Sequence, residues 1–359
     1  MEKIRAAVCR EHNAPLTIEE VLLAPPGEGQ IEVEIAAVAI CHSDISFLQG
    51  GFGGTLPTVA GHEAAGIITK LGEGVKGLSV GDHVCVTLIH ACGHCRSCAS
   101  ASPTTCETPV PQPGPLSLPD GTPIYQAMAC GAFAEKVVVD QSQVVVIPSD
   151  MSMEAASLVS CGVITGLGAA VNAANVRPGQ DVVVIGAGGV GLNAIQGARL
   201  AGARRVVAVD MTEEKLAIAR EFGATDGVLA EGKPWAAVKA LLGKGADSVL
   251  VTVGAAPAYD TAPRYLVPTG RVIAVGMPHL DKSSTYSPML MARQAQGIEG
   301  SMMGNVIIRR DIPWIVDLYQ QGRIKLDELI SGRWRLEEIN EAIADTVTGT
   351  ARRNVLLLR

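Results

Sequence analysis

A length of 359 residues makes two domains the natural expectation, and 48% hydrophobic against 18% charged residues leaves ample apolar material for large cores. A formal net charge of -7 with no basic block excludes the positive surface that a nucleic-acid partner needs. Aromatic residues make up only 3%, so the cores must rest on Val, Ala, Leu and Ile, whose β-branched runs suit the buried strands of an α/β protein.

In chain order, residues 1–11 carry charges of both signs and lead straight into alternating, strand-like sequence, unlike a secretory leader. Nine cysteines in such a chain read as reduced thiols and metal ligands, and the expected compartment is the cytoplasm. Residues 31–39 alternate Glu with apolar residues at their start, as a half-buried strand does, and Gly27-Glu28-Gly29 and Gly72-Glu73-Gly74 mark turns. Cys41-His42-Ser43-Asp44 follows the strand at 31–39, and Gly61-His62-Glu63 follows Pro57. Cys92, Cys95, Cys98 and Cys106 then form a Cys-x2-Cys-x2-Cys-x7-Cys run. Four thiolates so close suit a closed, tetrahedral structural zinc, and an iron–sulfur cluster also takes four cysteines. The gaps are too short for two unstrained disulfides. Residues 108–123, rich in Pro and Gly, read as an exposed loop. Residues 155–176 contain no charge and are long enough to span a bilayer. Their polar residues and the breaks expected at Gly162 and Gly166 favour instead a buried helix-loop-helix near a domain junction, with Cys161 inside it and no membrane contact.

From about residue 150 the texture changes to alternating strands and helices. Strands are expected at 181–185, 205–209, 248–253 and 270–275, with helices at 190–201 and 213–222, which predicts a parallel sheet covered on both faces. Gly186-Ala187-Gly188-Gly189-Val190-Gly191 follows the first of these strands and opens the next helix, the context a dinucleotide fingerprint requires. Gly186 permits the tight turn, Gly188 lets the backbone approach a pyrophosphate, and Gly191 lets helix and strand pack closely. The helix N-terminus offers donors and positive potential to the phosphates. Asp210 ends the next strand, where a carboxylate binds the adenosine ribose and repels a 2′-phosphate, so NAD is expected rather than NADP. Lys215 is placed to reach the same ribose; the structural alternatives are a helix cap for Asp210 and a solvated charge for Lys215. Helices at 312–321 and 336–345 and a strand at 354–358 close the chain.

Taken together, the four-cysteine run, the nucleotide fingerprint and the clusters at 41–44, 61–63 and 161–162 resemble the zinc-containing alcohol dehydrogenases of the medium-chain dehydrogenase/reductase family, over nearly the whole chain and in the same order. The resemblance implies a GroES-like, partly open β-barrel catalytic domain from residues 1–160 and 301–359. A Rossmann-fold NAD-binding domain from residues 161–300 is inserted between these parts. It further implies that Cys41, His62 and Cys161 hold a catalytic zinc, the two-Cys, one-His set by which alcohol dehydrogenases are known, leaving one position open. Glu63 then matches a carboxylate able to approach the metal, and Asp44 the carboxylate that orients the ligating histidine. Cys92, Cys95, Cys98 and Cys106 match a structural zinc lobe, which displaces the iron–sulfur reading. Ser43 matches the hydroxyl that relays the alcohol proton. His42 and Arg353 match contacts to the cofactor pyrophosphate, and Gly189 and Val190 belong to the fingerprint, with Val190 near the nicotinamide end.

The expected function is therefore reversible hydride transfer between an alcohol and NAD, with two zincs per chain, in a homodimer or homotetramer. Leu88, by its offset from Cys92, aligns with a pocket position that is a large aromatic in relatives acting on small primary alcohols. A leucine there predicts a medium-sized apolar primary, secondary or cyclic alcohol, or its carbonyl partner. Phe47, Leu48, Phe52 and Leu56 are candidates for the pocket wall or for barrel core. The alternatives are a polyol or formaldehyde dehydrogenase of the same family and a non-catalytic NAD- and zinc-binding structural protein. The uncharged loop at 49–54 lacks the anchor a glutathione adduct needs.

Overall fold

The alternation at 31–39 is realised as the strand Gln30–Ala39, the axis of the first half of the fold. Its Ile31, Val33, Ile35 and Val38 are buried. Glu32 is buried as well, and its carboxylate accepts from Thr69 Oγ1 at 2.7 Å and from Lys70 Nζ at 2.8 Å, which is what makes a buried charge tolerable. The computed structural model of the protein describes residues 1–358 and divides into two compact units: Met1–Cys161 with the C-terminal residues from Ile307, and Gly162–Val306.

In the first unit, five short strands close on themselves in the order Glu2–Cys9, Thr17–Leu23, Leu116–Ser117, Pro123–Gln126, Thr58–Val59. A second, seven-stranded sheet runs Val144–Val146, His83–Val86, Glu63–Leu71, Gln30–Ala39, Arg353–Leu357, Ile330–Arg335, and remains open at both ends, with Lys136–Asp140 paired to Gln30–Ala39. This is the GroES-like barrel. The proline- and glycine-rich stretch expected as an exposed loop supplies one of its staves: Leu116 is 2% exposed and pairs with Leu23 and Ile124. Burial of Leu116 and Leu118 outweighs the loop-like composition around them.

In the second unit, six parallel strands stand in the order Asp226–Leu229, Arg205–Asp210, Asp181–Ile185, Ala246–Val251, Leu266–Ala274, Gly297–Gly300. Numbered along the chain this is 3-2-1-4-5-6, the Rossmann order, whose switch point lies beside the first strand. The strand Asp181–Ile185 is buried throughout, as its unbroken Val-Val-Val-Ile run predicts.

The uncharged stretch differs from expectation. Met153–Ala173 is one helical run of 21 residues, long and apolar enough to cross a membrane but largely buried within the protein. It is not broken at Gly162 or Gly166; it widens into π-helical turns at Val159–Val163 and Ala169–Ala173. Gly166 is present because of close packing: a Cβ there would lie 2.3 Å from the carbonyl oxygen of Val190. Glycine in this helix therefore marks where another backbone touches it, a reason that a reading of glycine as a breaker misses.

Candidate active site

Cys41, His62, Glu63 and Cys161 come together in the first unit, all buried, with their ligating atoms within 4.8 Å of one another. Each arrives on a different kind of element. Cys41 caps the helix His42–Leu48, and the helix's Asp44 accepts back from the Cys41 N–H at 3.1 Å. His62 and Glu63 stand at the head of the strand Glu63–Leu71, and Cys161 sits in the first π-helical turn. Asp44, fully buried, also accepts from the Gly61 N–H at 2.9 Å and from His62 Nδ1 at 2.9 Å. One carboxylate therefore holds two ligand-bearing segments together. A hydrogen bond from Nδ1–H leaves Nε2 as the lone pair that a metal would use.

His62 Nε2 and both oxygens of Glu63 are buried with no hydrogen-bond partner among the described residues. Orphaned buried acceptors are costly, and a cation facing them removes the cost. Two thiols and an imidazole are donors that suit zinc. The residues present thus fit a bound zinc ion. The local electrostatics couple the same four groups. The neighbouring Cys161 thiol holds the Cys41 thiol well below the ordinary range despite its burial, with His62 adding to the effect, and the same hydrogen bond pushes Cys161 well above it. Burial opposes charging of His62, but Asp44 raises its pKa well above the usual value. Burial pushes the Glu63 carboxyl up to about 7, against the pull of Arg353. Arg353 opens the strand Arg353–Leu357, is 5% exposed, and its Nη2 lies 3.6 Å from Glu63 Oε1. Ser43 is half-buried in the first turn of the helix after Cys41, and His42 is exposed at its start.

The second thiol cluster is of another kind. Cys92, Cys95, Cys98 and Cys106 are half-exposed, with sulfurs within 4.8 Å of one another. Backbone N–H groups point at the sulfurs: Cys95 N–H to Cys92 Sγ at 3.3 Å, Cys92 N–H to Cys106 Sγ at 3.3 Å, and Cys98 N–H to Cys95 Sγ at 3.5 Å. Thr108 and the His94 and Cys95 backbone hold the Cys92 thiol down to about 5, whereas burial and the neighbouring Cys95 and Cys106 sulfurs push Cys98 up to about 12. Four thiols this close cannot all ionise without a cation among them, and these donors too fit zinc. None of the nine cysteines forms a disulfide.

In the second unit the glycine fingerprint forms a loop between the strand Asp181–Ile185 and the helix Gly189–Leu200, which is capped by Gly188 with no side chain on its first N–H groups. A Cβ on Gly191 would lie 1.8 Å from the Gly186 oxygen, so only glycine allows this helix to start so close to the turn. A Cβ on Gly188 would meet nothing within 4 Å, so the backbone there faces open space. Free N–H donors beside open space at a helix N-terminus fit a dinucleotide pyrophosphate. Val190 is half-buried in the helix's first turn, after Gly189. Asp210 fastens the loop from one side, accepting from the Ala187 N–H at 2.6 Å and the Met211 N–H at 2.7 Å. It is not a helix cap: Thr212 caps Glu213–Glu221. Lys215 Nζ lies 3.9 Å from Asp210 Oδ1.

Two residues outside the sequence reading also hold these sites. Thr252 Oγ1 lies 3.0 Å from the carbonyl oxygens of both Ile185 and Gly186, fastening the glycine loop from the side opposite Asp210. Ser160 Oγ donates to the Ala64 carbonyl at 2.7 Å, one residue from each of two candidate ligands. Neither carries a spacing signal, because each bonds a residue distant in the chain, Thr252 from the end of one strand to its neighbour and Ser160 from helix to strand. Among the pocket-wall candidates, Leu48 belongs to the barrel core and Phe47 and Leu56 pack against it. Leu88 and Phe52 are half-buried outside that cluster.

The alcohol dehydrogenase GroES-like domain matches residues 27–149, and the zinc-binding dehydrogenase domain matches residues 189–321. The NDMA-dependent alcohol dehydrogenase of Amycolatopsis methanolica is 35% identical, over 99% of this chain and 99% of its own length. Geraniol dehydrogenase of Castellaniella defragrans is 34% identical, over 98% of this chain and 97% of its own. The crystal structure of benzyl alcohol dehydrogenase from Acinetobacter calcoaceticus superposes with a TM-score of 0.94 at 28% identity, over 100% of both chains. The chain belongs to the zinc-containing alcohol dehydrogenases of the medium-chain dehydrogenase/reductase family. It is an oxidoreductase of the alcohol dehydrogenase type, and use of zinc and of NAD or NADP goes with that membership.

Proposed function

We propose that the protein is a two-zinc, NAD-dependent alcohol dehydrogenase acting on a medium-sized apolar primary, secondary or cyclic alcohol, or on its carbonyl partner. The observation that carries this reading is the buried Cys41, His62 and Cys161 set with an unpartnered His62 Nε2, in a chain that also holds an open glycine fingerprint. Zinc bound there supplies Lewis acidity to the alcohol oxygen, and bound nicotinamide accepts the hydride. The chain's own groups do the rest. Asp44 fixes the His62 ring, and Ser43, two residues after Cys41, relays the alcohol proton: its hydroxyl accepts that proton and would pass its own on to the nicotinamide ribose. Glu63, held near neutrality by burial against Arg353, is the carboxylate able to approach the metal. Arg353 and His42 are assigned to the pyrophosphate, with Gly186, Gly188, Gly189, Val190 and Gly191 forming its cradle. The four-cysteine cluster, with no apolar group of its own buried, is assigned a structural zinc.

Cofactor choice is assigned to Asp210. Asp210→Gly should weaken NAD binding by about 1–3 kcal/mol, the usual cost of losing the partner of a buried polar group. Because the carboxylate also holds the Ala187 and Met211 N–H groups, a gain in NADP binding should come with a lower melting temperature. Equilibrium titration with both nucleotides checks this; a wild-type protein that binds NADP more tightly than NAD would contradict it.

The substrate reading rests on Leu88 and is supported by relatives named for geraniol and benzyl alcohol. Leu88→Phe should shift kcat/KM toward small alcohols, since each buried methylene lost from the pocket is worth about 0.8 kcal/mol. The test compares NADH formation from ethanol, hexanol, cyclohexanol and benzyl alcohol. Ethanol as the best wild-type substrate, or an unchanged ranking in the variant, would sink the pocket argument and leave the metal assignment standing. The relative named for NDMA dependence favours a second reading, in which turnover needs NDMA as well as alcohol. The same assay with and without NDMA separates the two.

Nine cysteines without a disulfide among them support a reducing, cytoplasmic setting. A homo-oligomer is supported by the strand Gly297–Gly300, which ends the six-stranded sheet with Ile298 exposed and with Met289, Leu290 and Met302 exposed nearby in the chain.

A further inference from the structure

Three separate segments bring Cys41, His62 and Cys161 together, and Asp44 ties only the first two. The third arrives on the helical run Met153–Ala173, inside the π-helical turn Val159–Val163. Such a turn departs from the regular hydrogen-bond ladder, so ordinary helix geometry does not by itself fix where its side chains point. Ser160 immediately precedes Cys161, is fully buried, and donates from Oγ to the Ala64 carbonyl at 2.7 Å. Ala64 follows directly on His62 and Glu63. The bond therefore joins the segment carrying Cys161 to the segment carrying His62, over 96 residues of chain. With Asp44 it completes a chain of ties through all three ligand-bearing segments.

We infer that Ser160 is a positioning residue of the metal centre. Its hydroxyl locks the π-helical turn against the strand Glu63–Leu71, so that Cys161 Sγ meets Cys41 and His62 at a distance one cation can bridge. This rests on the reading of that cluster as a zinc site. The helix keeps a second tie to the sheet, Cys85 Sγ to the Ala156 carbonyl at 3.2 Å, so loss of the Ser160 bond loosens the ligand without undocking the helix.

Ser157 provides the control. It is fully buried in the same helix, but its hydroxyl bonds the Glu154 carbonyl at 2.7 Å, within its own turn, and links no ligand segment. The experiment measures release of zinc from the purified protein to a chromophoric chelator, with total zinc and the cobalt(II) thiolate absorption spectrum as companions. Ser160→Ala should release one zinc per chain about 10–100-fold faster than wild type, the usual effect of removing a group that supports a metal ligand. It should alter the cobalt spectrum and leave the other metal in place. Ser157→Ala should match wild type in both, and Ser160→Thr, which keeps the hydroxyl, should release zinc at close to the wild-type rate. Wild-type release from Ser160→Ala, equally fast release from Ser157→Ala, or fast release from a folded Ser160→Thr would overturn the assignment. If wild type carries no zinc that Cys41→Ser removes, the zinc reading itself fails, whatever Ser160 does.

Discussion

Cys41→Ser is expected to cut alcohol turnover by at least about a thousandfold while leaving a folded protein that still binds NADH. Lewis-acid stabilisation of developing charge is worth several kcal/mol, and each 1.36 kcal/mol is a factor of ten in rate. The fold should survive because Cys41 stands at the N-cap of His42–Leu48, a position where serine is among the preferred residues. Asp44 can still accept from the backbone N–H at 41, from Gly61 and from His62, so the two segments stay joined. What is lost is the thiolate, and with it one of three donors to the metal. Steady-state kinetics and NADH fluorescence on the same preparation give both readouts. Turnover within tenfold of wild type would remove Cys41 from the active site.

Cys98→Ser should have the opposite signature: intact chemistry in whatever protein remains folded, and a marked loss of stability. The residues around the four-cysteine cluster bury almost nothing. The helix Arg96–Ala99 and the turn Pro103–Thr105 contain no buried residue. A segment without a core is held by its crosslinks, and metal binding in such segments is itself the folding free energy. Removing one of four sulfurs should drop the melting temperature by several degrees, release one zinc, and open residues 92–108 to proteolysis. Limited proteolysis with mass spectrometry checks this. A variant as resistant as wild type, with its full zinc content, would show that the cluster is not a metal lobe.

The parts of this structure most legible in the sequence are those whose determinants are close together in the chain. The glycine fingerprint shows its strand, turn and helix within a dozen residues, and Cys92, Cys95, Cys98 and Cys106 sit within one short segment. The Cys41, His62 and Cys161 set is spread over more than a hundred residues and is recognisable only through resemblance to a family; that resemblance also reaches the bracing Asp44 but not Ser160. Ser160 meets Ala64 from helix to strand, and Thr252 meets Ile185 from the end of one strand to its neighbour, with no periodic or spacing signal. Two strands escape the sequence pattern for related reasons. Gly297–Gly300 has glycine at both ends and little strand propensity, yet it pairs with Arg271 to Ala274. Leu266–Ala274 begins earlier than expected because a register shift between Ala246 and Ser248 accommodates Pro268. Tertiary pairing decided these cases against local preference.

The most direct test of the central claim is a zinc count on fully active wild-type protein set beside Cys41→Ser. Two complete donor sets, one buried with an unpartnered imidazole nitrogen and one half-exposed with four sulfurs, predict two zincs per chain in wild type. They predict one in the variant, with turnover lost together with the missing ion. A fully active wild-type preparation holding a single zinc, or a Cys41→Ser protein that keeps two, would contradict the account.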